Sequence, residues 1–84
     1  MDNNKVWYVT GASQGLGLSL IKQLLSAGYR VAATSRSAAG LQQAVGTVDQ
    51  NKFLPLEVDL TSADAIRNSI DQTVAAFGTI DIVV

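Results

Sequence analysis

The sequence predicts an α/β fold, a doubly wound parallel sheet built as β-α-β-α-β-α-β with strands in the order 3-2-1-4. Three observations predict it. β-rich runs alternate with helical ones along the chain, glycines close the helical runs, and no segment repeats another. Strands separated by helices imply right-handed crossovers and parallel pairing. With 84 residues the chain has room for one small domain, 1–84, and a modest core.

Each element has its own signal. Residues 5–10 (KVWYVT) form a β-rich run. Over 15–27, Gly17, Leu20, Ile21, Leu24 and Leu25 fall on one helical stripe, which Gly28 caps. Residues 30–35 (RVAATS) are a second strand, and 37–45 a short helix weakened by Gly40. The third strand, 52–57 (KFLPLE), carries Pro55, which lacks a ladder donor and so belongs at a sheet edge or strand end. Residues 61–64 (TSAD) resemble a capping box led by Thr61, with an acid at the usual Glu position. Ile66, Ile70, Val74 and Phe77 then repeat at helical spacing, Gly78 closes the helix, and 80–84 (IDIVV) is a fourth strand.

Composition narrows the chemistry. Hydrophobic residues make up 48% and charged residues 15%, the balance of a globular chain. Without cysteine or histidine there is no disulfide, no thiolate or imidazole metal site, and no histidine base. No apolar run reaches membrane-spanning length, and the polar start MDNNK is no signal peptide. A soluble, cytoplasmic protein is expected. Between Asn3 and Val48 there is no acid, while Lys5, Lys22, Arg30 and Arg36 lie there. Such a half receives an anion at low electrostatic cost; the alternative is chance scatter of few charges, and four scattered cations make no nucleic-acid stripe.

Residues 9–20 read VTGASQGLGLSL, which places Gly11, Gly15 and Gly17 between a strand and a helix. A helix start offers unpaired N–H groups and a partial positive charge. A pyrophosphate settles there if no Cβ blocks it. On this reading Gly11 allows the turn, Gly15 the approach of phosphate oxygens, and Gly17 close packing of helix on sheet. Ser13 adds a hydroxyl. The bland alternative is a glycine turn that serves packing alone. A P-loop is excluded, because Leu18 and Ser19 follow Gly17 where a lysine and a hydroxyl are needed.

Residues 10–17 (TGASQGLG) resemble the T-G-x-x-x-G-x-G motif of the classical short-chain dehydrogenase/reductase family. Residues 58–61 (VDLT) are similar to its D-[LV]-[TS] stretch after the third strand, and 80–84 to the strand before its N-N-A-G motif. The resemblance covers essentially the whole chain. It implies a Rossmann-type NAD(P)-binding domain. It also implies a cofactor site at Gly11, Ser13, Gln14, Gly15, Leu16, Gly17, Ser35, Arg36, Asp59 and Leu60, with Asp59 and Leu60 at the adenine ring. Asp59 also admits a reading as a helix cap.

Cofactor choice is read at the end of the second strand. An acid there binds the ribose 2′-hydroxyl of NAD. Here Ser35 stands at that place and Arg36 follows. A guanidinium beside a hydroxyl clasps a 2′-phosphate that a carboxylate repels, so NADP is expected ahead of NAD. The alternative is a solvated surface arginine.

The resemblance implies hydride transfer between a nicotinamide and a carbonyl or alcohol, a small-molecule substrate, a homo-oligomeric parent, and neither nucleic acid nor membrane as partner. The family's Tyr-x-x-x-Lys pair is absent. Four residues after Tyr8 and Tyr29 stand Ala12 and Ala33. No catalytic or metal-binding residue is assigned, and the chain reads as the N-terminal half of a longer enzyme. Two other readings stay open: a non-catalytic NADP sensor, and an epimerase- or dehydratase-type relative, whose usual glycine spacing these glycines do not fit. Trp7, Tyr8 and Phe77 are expected in the core or on strand faces, and Asp81 at a strand end facing solvent.

Overall fold

A computed structural model of the chain describes residues 5–11, 15–46 and 51–84. Seven elements follow one another: β1 (Val6–Val9), α1 (Gly15–Ser26), β2 (Arg30–Ser35), α2 (Ala38–Val45), β3 (Phe53–Glu57), α3 (Ala63–Phe77) and β4 (Ile82–Val83). All strand pairs are parallel, in the order β3-β2-β1-β4. This is the expected Rossmann-type arrangement.

Alternation along the strands sends side chains to two layers. On one face Val9, Val31, Ala33 and Phe53 meet Ile21 and Leu24 of α1 and Leu41 and Val45 of α2. On the other, Tyr8, Ala32, Leu56 and Val58 meet Ile66 and Phe77 of α3. Trp7 stacks edge-on against Tyr29, with ring centroids 5.9 Å apart. Pro55 lies on the edge strand. Lys52 O and Val58 N bond to β2, so alternation turns the nitrogen of Pro55 outward, where no donor is needed.

Helix ends follow local chemistry. Gly28, at φ 93°, closes α1. Its N–H donates to Leu25 O and that of Tyr29 to Leu24 O, the two bonds of a Schellman motif. Gly78 ends α3 in the left-handed region, donating to Val74 O. The start of α3 differs from expectation: the cap is Ser62, not Thr61. Asp59 Oδ1 accepts both the amide and the hydroxyl of Thr61, at 2.9 and 2.7 Å. Thr61 is thereby tied back to the preceding turn, and Ser62 Oγ accepts from Ala65 N instead.

The stripe of α3 also divides. Ile66 and Phe77 pack on the sheet, whereas Ile70 and Val74 face outward, 38% and 43% exposed. The buried face carries Ser69 and Thr73. The Tyr8 hydroxyl and Ser69 Oγ share a 2.6 Å bond, Ser69 Oγ donates to Ile66 O, and Thr73 Oγ1 donates to Ser69 O. Hydroxyls thus anchor the helix where an apolar stripe was expected.

β4 is shorter than the expected 80–84. Ile80 turns into the α3 layer. Asp81, though exposed, is no bystander in solvent: its Oδ2 accepts from Val6 N at 2.8 Å while its own N–H donates to Val6 O. A side chain thus replaces the first rung of the ladder. Among the described residues no helix is long and apolar enough to cross a membrane.

Candidate functional site

Parallel strands all end on the same side, so the segments after β1, β2 and β3 meet at one edge of the sheet. A cavity of about 490 Å³ opens there, and its wall includes Gly11, Ser35, Arg36, Asp59 and Leu60. Five residues singled out in the sequence, distant along the chain, therefore share one surface. Gly15, Leu16 and Gly17 form the first turn of α1. Ser13 and Gln14 lie outside the described residues.

Gly11 and Gly15 have φ values of 63° and 61°, a conformation that side-chain-bearing residues avoid. A Cβ built on either meets nothing within 4 Å among the described residues. The backbone turn requires these glycines, and among the described residues the space beside them is open. Gly17 lies within α1 and is half-buried. Leu16 is 91% exposed beside this turn, an unusual place for a large apolar side chain. The first turn of α1 carries no acid.

The end of β2 is a compact hydrogen-bonded turn. Ser35 Oγ donates to Ser37 O at 2.6 Å and accepts from Ser37 N at 3.2 Å. Its proton is therefore committed within the chain, which leaves the exposed Arg36 as the charged donor at this corner. Ser37 caps α2 by accepting from Gly40 N at 3.1 Å. Gly40 suits the place, since a Cβ there would sit 3.3 Å from Ser37 Oγ.

Asp59 lies in the turn after β3. The Thr61 hydroxyl, then the Thr61 amide, hold its carboxyl below the ordinary carboxylate value, and the Arg36 guanidinium adds to the effect. Asp59 thus orders the turn leading into α3 while it lines the cavity.

The carboxylate-free half does not stay carboxylate-free in space. β3 pairs with β2 so that Glu57 lies opposite Ser35. Arg36, Glu57 and Asp59 border one adjoining cleft. Two acids from the second half of the chain thus flank the arginine of the first. Glu57 and Ser37 were not singled out as site residues; the strand order 3-2-1-4, which sets the end of β3 beside that of β2, was the signal for Glu57. Thr34 was missed as well. It lines the cavity fully buried, and among the described residues its Oγ1 has no hydrogen-bond partner.

A family model described as short chain dehydrogenase matches residues 5–84. The chain belongs to the short chain dehydrogenase family. It is 31% identical over 80 residues to the oxidoreductase BOA17 of Botryotinia fuckeliana, covering 95% of this chain and 29% of that protein. It is 36% identical over 76 residues to a probable NADP-dependent dehydrogenase of Haemophilus influenzae, covering 90% of this chain and 30% of that protein. The fold superposes with a TM-score of 0.88 on a short chain dehydrogenase from Bacillus anthracis, 31% identical, over 96% of this chain and 34% of that one. The chain thus spans about a third of the length of the relatives it matches.

Proposed function

We propose that this chain is the cofactor-binding part of an NADP(H)-dependent oxidoreductase acting on an alcohol or carbonyl. The observation that carries the reading is the convergence of Gly11, Arg36, Asp59 and Leu60 on one cavity at the strand ends. The residues suit a dinucleotide. The glycine turn leaves space for a pyrophosphate at the acid-free start of α1. Leu60, half-exposed, offers an apolar surface to a base, and Asp59 a carboxylate acceptor. Arg36 supplies the charge for a 2′-phosphate. The bound nicotinamide would supply hydride chemistry; the residues described here bind and orient.

In this reading the parent's substrate is a small molecule, and its acid–base residues lie outside this chain. Arg36→Ala is the test of cofactor choice. A charge-assisted hydrogen bond contributes about 1.5–3 kcal/mol, so NADPH binding should weaken roughly ten- to a hundredfold while NADH binding hardly changes. Equal losses in parallel fluorescence titrations would show that Arg36 does not read the 2′-phosphate.

A further inference from the structure

We propose that Glu57 sets how strongly the site prefers a nucleotide bearing a 2′-phosphate, by keeping its own carboxylate at the helix start where that phosphate would settle. The inference rests on the dinucleotide reading above and adds a residue to it.

Glu57 ends β3 as the register partner of Ser35. It alternates with Phe53, whose side chain is buried in the α1/α2 layer, so Glu57 projects on the α2 side of the sheet. There Ala38 N donates to Glu57 Oε1, at a long 3.4 Å. Ala38 is the first residue of α2, and the first turn of that helix carries no acid of its own. Glu57 therefore supplies from another strand the negative charge that a helix start favours.

The other groups at this corner are already engaged. Ser35 Oγ is committed to Ser37, and Ser37 Oγ accepts from Gly40 N. Asp59 is tied down by two bonds from Thr61. Glu57 is exposed and held by one long contact. An anion arriving at Arg36 meets this carboxylate across the same cleft and must compete with it for the Ala38 amide. Arg36 draws the 2′-phosphate in, and Glu57 opposes it.

The test uses isothermal titration of adenosine 2′,5′-bisphosphate and of 5′-AMP into the full-length protein, its fold checked by circular dichroism. Glu57→Gln should tighten the bisphosphate about two- to fivefold, the size expected for an exposed charge at a helix start, and leave 5′-AMP nearly unchanged. Glu57→Lys should tighten the bisphosphate further. Asp71→Asn removes the same charge from the exposed side of α3 and should change neither. An unchanged ratio in Glu57→Gln, or the same change in Asp71→Asn, overturns the role of Glu57 and leaves the dinucleotide reading standing. Failure of the folded chain to bind either nucleotide overturns both.

Discussion

Thr34 and Asp59 show how single groups balance structure against a site. The Thr34 hydroxyl is buried without a partner among the described residues, and such a group carries its desolvation penalty uncompensated. Thr34→Val keeps the shape and removes the hydroxyl, so it should stabilise the chain by about 1 kcal/mol, read as a higher midpoint in urea. An unchanged or lower midpoint would mean that the hydroxyl is satisfied in solution. Asp59 acts in the opposite sense. Its carboxyl is held below the ordinary value of 3.8 by the bonds from Thr61 and by Arg36. A depressed carboxylate stabilises the fold in full above its unfolded value, and that contribution is lost as the pH falls through the folded one. Acidification below about pH 4 should therefore destabilise the wild type more steeply than Asp59→Asn. Parallel curves in urea melts at several pH values would count against this coupling.

Helix starts are where local sequence and tertiary context compete. Residues 61–64 (TSAD) contain two adjacent hydroxyls able to cap. The choice went to Ser62 because Asp59 holds Thr61 in the preceding turn. Ser62→Ala should cost about 1 kcal/mol, and more than the same change in a solvated serine such as Ser19, exposed in mid-α1. Denaturation midpoints of the two variants make the comparison. The stripe of α3 was legible as a helix but not as an orientation. Ile66, Ile70, Val74 and Phe77 span more of the helix surface than one contact line. Tyr8 reaching Ser69 turned Ile70 and Val74 outward. The strands were clearer, since Pro55 called for a sheet edge or a strand end and the order 3-2-1-4 set β3 at the edge.

At the scale of the whole molecule, the two layers differ in completeness. The α1/α2 layer encloses Val9, Val31, Ala33 and Phe53. The exposed large apolar residues include Ile70 and Val74 of α3, and Val83 and Val84 at 69% and 51% exposure, beside β1 at the other edge of the sheet. β4 closes one side of the sheet and pairs with β1 alone. An apolar strand at an open edge invites pairing with another chain, and exposed apolar patches favour association. A chain of these 84 residues, made as such, should therefore self-associate. Light scattering on mass-verified material checks it; a monodisperse monomer that unfolds cooperatively would count against it.

The sequence by itself determined the alternation of elements, the parallel order 3-2-1-4, the glycine turn and the place of Arg36. All of these rest on short-range signals: periodicity of apolar residues, the backbone freedom of glycine, and the handedness of crossovers. Tertiary structure alone decided that Glu57 stands beside Arg36. The run from Asn3 to Val48 holds no acid, and read along the chain it pointed to an anion received at low electrostatic cost. Pairing of β3 with β2 set Glu57 opposite Ser35, and the following turn brought Asp59 into the cavity wall. Charge acts through space at distances of a few ångströms, so the electrostatics of a site at strand ends belongs to neighbouring strands rather than to neighbouring residues.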